Sequence, residues 1–259
     1  MSVKALLSQL IFPPRCIACG RLLEIDRDHP RAFCRECGEG WRRELLLQCS
    51  ECFLEYSKCR CMPYVLKQAG CARYIKLVPY GKDDGTQVSR SVILNMKRDP
   101  RARAFSAVAA ELAFSVREVM DELSVEKEVD TVITFLPRRR RTQRAYGFDQ
   151  ARQLGIALSR ETGFKLCRTL VRCHDGKEQK ELTLRERQQN VRGAFRPTGE
   201  IKGKRVLLVD DVVTTGAGAA EAVRLLRRSG AAEVWVLSVG YTAKIKKNKK
   251  DERRCDFRV

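Results

Sequence analysis

Apolar and polar positions follow two different periods along this chain, and an element begins or ends wherever the period changes. From Val206 to Val209 four apolar residues run without a break, the pattern of a strand covered on both faces. Beyond a short stretch rich in Thr and Gly, Ala219, Ala222, Val223 and Leu226 share one face of a helix. The same reading predicts strands near Tyr74 to Tyr80, at Thr131 to Phe135 and at Val234 to Val239. It predicts helices around Val88 to Met96, Arg103 to Leu123 and Asp149 to Thr162. Such alternation beyond Cys71 marks an α/β unit built on a parallel sheet. Near the start, Val3, Leu6, Leu7, Leu10 and Ile11 form one helical stripe that ends at Pro13 and Pro14. Ser8 and Gln9 break the apolar core that a signal peptide requires, so a short amphipathic helix packed on the body is expected. His174 to Arg196 is charged and lacks apolar periodicity, the profile of a lid or a disordered loop, with Gln179, Arg187 and Asn190 spaced through it.

The polar residues that interrupt this pattern carry the candidate chemistry. Asp210 and Asp211 follow the apolar run, at the strand end where open α/β sheets bind ligands. Val212 to Gly218 then leads into a helix, so backbone N–H groups and the positive end of a helix dipole face any anion that enters. Thr214 and Thr215 add hydroxyls, while Gly216 and Gly218 let the backbone come close. Two adjacent carboxylates repel a bare phosphate, but they accept hydrogen bonds from vicinal ribose hydroxyls or hold Mg2+ through water. A ribose 5-phosphate satisfies both halves. A P-loop would need Lys followed by Ser or Thr after its last Gly, and a dinucleotide fingerprint would need Gly where Glu221 stands. Strand Thr131 to Phe135 likewise runs into Pro137, Arg138, Arg139, Arg140 and Arg141, with Arg144 following, a guanidinium cluster suited to phosphate oxygens.

Cysteine spacing changes the picture of the first 72 residues. Eight of the twelve cysteines form a ladder: Cys16 and Cys19, Cys34 and Cys37, Cys49 and Cys52, then Cys59 and Cys61. Two closely spaced pairs complete the four thiolates of a structural Zn2+ site. The simplest assignment gives one zinc to the first two pairs and a second to the last two, although crossed pairing or a single zinc fits the spacing as well. A disulfide framework belongs to oxidising compartments, and no export signal is evident. Cys71, Cys167, Cys173 and Cys255 lack such spacing. With few aliphatic runs, this piece would draw its folding energy from metal. The expected organisation is a zinc-binding domain over 1–72, an α/β domain over 73–243 and a basic tail over 244–259.

Composition sets outer limits. No apolar run approaches the roughly 20 residues of a bilayer-spanning helix, and a soluble, cytoplasmic protein is expected. Fifty-one basic against thirty-two acidic residues give a net charge of +19, which favours polyanionic partners. Part of that excess lies in the tail, at Lys244, Lys246, Lys247, Lys249 and Lys250. Trp41, Phe53 and Tyr56 offer either packing around metal or stacking on single-stranded bases.

The run from Val206 to Gly218 resembles the phosphoribosyl pyrophosphate loop of the type I phosphoribosyltransferases. The opening Leu-Ile-Phe-Pro-Pro-Arg-Cys, the cysteine ladder, Lys97, Gly147-Phe148-Asp149-Gln150 and the segment Arg187 to Phe195 are together similar to the ComF family. The resemblance implies a type I phosphoribosyltransferase-like parallel sheet joined to a small cysteine-rich zinc-binding domain, associated with DNA uptake in competent bacteria. It implies that Asp210 and Asp211 hold the ribose and that Val212, Val213, Thr214, Thr215, Gly216, Ala217 and Gly218 hold the 5′-phosphate. Lys97, Pro137, Arg138 and Arg141 would serve the pyrophosphate, Gln179, Arg187 and Asn190 the lid, and Mg2+ would accompany the ligand. The implied partners are phosphoribosyl pyrophosphate or a related sugar-phosphate, single-stranded DNA and a helicase of the competence machinery. The same resemblance leaves open an active transferase on a base or amine, or a non-catalytic sensor. Departures from the family pattern are Gly218 for Thr, Tyr146 for Arg, Asp149 for Asn and Phe135 for Pro.

Overall fold

The computed structural model describes residues 13–24, 32–81, 87–100, 103–123, 129–174 and 191–242. The expected N-terminal helix, the lid residues Gln179, Arg187 and Asn190, Cys255 and the lysines of the tail lie outside the described residues.

Five strands form one parallel sheet: β1 (Arg73–Pro79), β2 (Thr131–Phe135), β3 (Lys165–Leu166), β6 (Arg205–Val213) and β7 (Glu233–Tyr241), in the order β1-β7-β6-β2-β3. A separate antiparallel pair, β4 (Leu170–Arg172) with β5 (Phe195–Pro197), stands beside the sheet. The helices, in chain order, are α1 (Arg35–Leu45), α2 (Tyr64–Gln68), α3 (Gln87–Arg98), α4 (Ala104–Glu122), α5 (Arg140–Tyr146), α6 (Gln150–Thr162) and α7 (Ala217–Arg228).

Alternation along β6 divides the core between the two faces of the sheet. Leu207 and Val209 pack with Ile75, Leu77, Ile133, Trp235 and Leu237 under α3, α4 and α6. Val206 and Leu208 pack with Tyr74, Val234 and Val236 under α7 and α2. The first cluster also takes in Cys16, Ile17, Ala18 and Trp41, so the N-terminal cysteine unit shares a core with the sheet.

Three differences from the sequence reading have physical causes. Strand β6 does not stop at Val209, because β7 continues beside it and pairs Asp210 with Ser238 and Val213 with Tyr241. The arginine-rich stretch after β2, for which the sequence predicts no element, is helical over Arg140–Tyr146 but buries no residue, so it shows no apolar period to read. α1 buries only Gly40, Trp41 and Glu44 and is equally silent in an apolar pattern. Helix α6 begins as expected, with the Asp149 carboxylate accepting from the Arg152 amide at 3.2 Å. That carboxylate also accepts from the Arg138 amide at 3.1 Å, tying the loop after β2 to the helix. Among the described residues no helix is long and apolar enough to cross a membrane.

Candidate functional site

The carboxyl ends of β2 and β6 open into a cavity of about 230 Å3. Asp210 through Ala219 line one side, Leu136 to Arg139 and Thr142 another, and Arg172, Val191 and Phe195 the third. All seven expected loop residues, Val212 to Gly218, are brought to this cavity. Gly216 caps α7 with φ +73°, a left-handed conformation that favours glycine, and so turns the loop into the helix. Around it, the Ala217 amide faces Thr215 Oγ1 at 3.4 Å.

Because they are consecutive on a strand, Asp210 and Asp211 project to opposite faces of the sheet, and at its edge both still reach the cavity. Asp211 is 9% exposed at its side chain and is paired with the guanidinium of Arg138; Lys97 Nζ, in the last turn of α3, lies 3.9 Å from the same oxygen. Asp210 Oδ1 accepts from the Asp211 amide at 2.9 Å. Burial pushes the Asp210 carboxyl well above the usual carboxylate range and the neighbouring Asp211 charge adds to this, with Arg138 opposing. Pro137 and Arg138 line the cavity, whereas Arg141, exposed on α5, and Lys97 are not among its lining residues. Arg139, Thr142 and Arg172 stand there instead. Arg172 had no sequence signal, since its segment shows no period; Nη1 donates to the Pro137 carbonyl at 3.2 Å and the guanidinium lies 5.1 Å from the Phe195 ring.

The cysteine ladder resolves into the simpler of the two pairings. Cys16, Cys19, Cys34 and Cys37 form one group, Cys49, Cys52, Cys59 and Cys61 the other, with all four sulfurs of each within 4.8 Å of one another. Tetrahedral Zn–S bonds of about 2.3 Å would put sulfurs roughly 3.8 Å apart. Cys19 and Cys34 Sγ lie at 3.8 Å and Cys52 and Cys59 Sγ at 3.4 Å, so both groups fit zinc. No described cysteine is in a disulfide. Burial raises the Cys16 thiol, but backbone donors at Cys19, Cys34 and Ala18 outweigh it and bring the pKa to about 7.

Two features of the second group escaped the sequence reading. Lys76 is fully buried on β1; its ammonium donates to the Cys61 carbonyl at 2.6 Å and meets Cys59 Sγ at 3.2 Å, above the Tyr74 ring at 4.9 Å. The signal was a lysine inside an otherwise apolar strand. Two residues beyond Cys61, Pro63 opens α2, and a Cβ on Gly216 would meet Val65 Cγ2 at 3.1 Å and Pro63 Cβ at 3.5 Å. The second cysteine group therefore continues directly into the element that backs the loop.

An all-parallel five-stranded sheet with an acidic pair and a glycine-turned loop at its carboxyl edge is the fold of the type I phosphoribosyltransferases. The phosphoribosyl transferase domain family matches residues 151–258, which include β6, the acidic pair and the loop. That domain match, together with relatives named for DNA utilization and competence, supports a ComF-family phosphoribosyltransferase-domain protein. It is 28% identical over 236 residues to the DNA utilization protein YhgH of Salmonella typhimurium, covering 88% of this chain and 98% of that protein. With Competence protein F of Haemophilus influenzae it shares 36% identity over 94 residues, 35% of this chain and 41% of that protein. A solved structure of the allosteric regulatory enzyme of purine biosynthesis is 26% identical with a TM-score of 0.34, covering 52% of this chain and 26% of that one.

Proposed function

We propose that this protein binds phosphoribosyl pyrophosphate with Mg2+ at the carboxyl edge of its sheet and works in DNA utilization in the cytoplasm, on single-stranded DNA taken up or processed there. The observation that carries the ligand is the cavity in which Asp210 and Asp211 sit beside the Val212 to Gly218 loop. The acids accept the ribose hydroxyls, and the amides at the start of α7 hold the 5′-phosphate. Mg2+, when bound, neutralises pyrophosphate oxygens. Arg138 and Lys97 already converge on Asp211; as the ribose takes their place on that carboxylate, both are released to meet the pyrophosphate. Residues 1–72 act as the zinc unit, 73–243 as the ligand-binding domain and 244–259 as a basic tail. The DNA role rests on the names of the relatives and on the +19 charge.

Calorimetric titration with phosphoribosyl pyrophosphate and Mg2+ tests this reading. Wild type binds, and an Asp210→Ala, Asp211→Ala double substitution weakens binding by at least about 100-fold, since each acceptor of a charge-assisted hydrogen bond is worth about 1.5–3 kcal/mol. Equal affinity of the two proteins would overturn the assignment. Transfer of the phosphoribosyl group to a base or amine is the second reading, favoured by the two cations gathered at Asp211, where a departing pyrophosphate would need them. Its readout is pyrophosphate release on adding an acceptor.

A further inference from the structure

A second, larger hollow lies beside the sugar-phosphate cavity and shares with it the wall of Pro137, Arg138 and Arg172. Its volume is about 560 Å3. Six arginines from different parts of the fold line it: Arg138 after β2, Arg140 on α5, Arg152 on α6, Arg168 after β3, Arg172 on β4 and Arg196 on β5. The one carboxylate among the described lining residues, Asp149, is buried and spends its oxygens on the Arg138 and Arg152 amides. Arg138 is paired with Asp211 of the neighbouring cavity, but the basin's own lining sets one acid against six arginines, and a cleft of one sign concentrates the field that draws a polyanion in. A merely solvated basic face would spread its charges over convex surface. Two of the arginines are also held in place: Arg172 Nε donates to the His174 carbonyl at 3.1 Å, and Arg196 Nε donates to Cys173 Sγ at 3.0 Å.

We infer that this arginine basin is a binding site for the phosphodiester backbone of single-stranded nucleic acid, separate from the sugar-phosphate cavity. The inference rests on the nucleic-acid part of the proposed function and adds the place and the chemistry. Planar guanidinium forks suit phosphate oxygens, and the apolar lining, Phe135, Pro137 and Val171, offers no exposed aromatic face inside the basin. Recognition within it is therefore of phosphates and blind to sequence. At its rim stands a platform for a base. Gln143 of α5 lines the basin, and Tyr146, three positions on along the same helical face, is 46% exposed. A base can stack on that ring only if it is unpaired, which selects a single strand over a duplex.

The test is fluorescence anisotropy of a short labelled oligothymidylate with the full chain, at several salt concentrations. Arg152, Arg168 and Arg196 line the basin but not the sugar-phosphate cavity. Their joint reversal, R152E/R168E/R196E, is expected to weaken binding more than about tenfold and to flatten the log–log salt dependence by about 2, roughly 0.7 for each phosphate of a single strand that is no longer neutralised. A charge-matched control, R42E/R43E/R90E, reverses three exposed arginines elsewhere and should change affinity less than about threefold. Should the reversed set fail to fold, R152Q/R168Q/R196Q gives the same ranking with a smaller loss. Tyr146→Ala should weaken the oligonucleotide about tenfold and leave binding of inorganic tripolyphosphate unchanged. Equal losses in basin and control variants would reduce the effect to net charge and overturn the site. Displacement of the oligonucleotide by tripolyphosphate at equal phosphate concentration would make the ligand a small polyphosphate and overturn it too. Wild type that binds no oligonucleotide would remove the nucleic-acid reading itself, while calorimetry with phosphoribosyl pyrophosphate decides the sugar-phosphate reading independently.

Discussion

Asp210 combines a raised pKa with the backbone restraint of a paired strand. A carboxyl whose folded pKa lies above its unfolded value keeps its proton in the folded state after the unfolded chain has lost it, so stability falls as pH rises through that window. Asp210→Asn removes the ionisation. The variant should therefore melt above wild type at pH 8, with the gap closing toward pH 4, and thermal denaturation across that range checks it; a constant gap would show that the carboxyl does not titrate differently on folding. Gly218 is the other informative residue. A Cβ there meets only Leu136 Cδ2 at 3.5 Å, an ordinary contact, so the first side-chain carbon of Gly218→Thr fits without displacement. Its hydroxyl would give the phosphate one more donor, and calorimetry should find phosphoribosyl pyrophosphate binding about 2- to 10-fold tighter, the worth of a hydrogen bond of about 0.5–1.5 kcal/mol. A Thr variant no tighter than wild type would mean that the phosphate sits elsewhere on the loop.

At the level of elements, α2 is short and would not be stable alone, yet it sets the back wall of the loop at Gly216. Its position follows from the second cysteine group, because Cys61 precedes Pro63 by two residues and Lys76 grips both Cys59 and Cys61. Loosening that group should loosen the loop. Cys61→Ser is expected to weaken phosphoribosyl pyrophosphate binding about tenfold, a cost of about 1.4 kcal/mol, and Cys19→Ser in the first group should weaken it less. Parallel zinc analysis and titration of both variants check this, and an unchanged affinity in Cys61→Ser would mean that α2 holds its place without the metal unit.

For the molecule as a whole, the central strands, the long helices and the loop after β6 were legible because apolar period and glycine placement are local properties. Val206 to Val209 and the face Ala219, Ala222, Val223 and Leu226 are all buried where their pattern placed them. The grouping of cysteines was legible down to the choice of partners, which spacing alone left open and the fold decides. What escaped the sequence was produced by assembly. Arg172, Arg168 and Arg196 meet around one hollow only because β4 and β5 pair across a long separation in the chain. Lys76 finds its partners across the seam between cysteine group and sheet, and α5 forms without burying anything. Charge followed the same rule: a total of +19 was visible at once, but its concentration on one concave face belongs to the tertiary structure.

One contact on that seam reaches further. Glu44 of α1 is buried, and its two oxygens accept the Val88 and Ser89 amides at 2.8 and 2.7 Å, finishing the first turn of α3, the helix whose last turn carries Lys97. An acid from one half of the chain thus completes a helix of the other. A boundary drawn near residue 72 marks a change of composition rather than a seam along which the halves come apart cleanly: a C-terminal half on its own would arrive with two amides that have lost their buried acceptor.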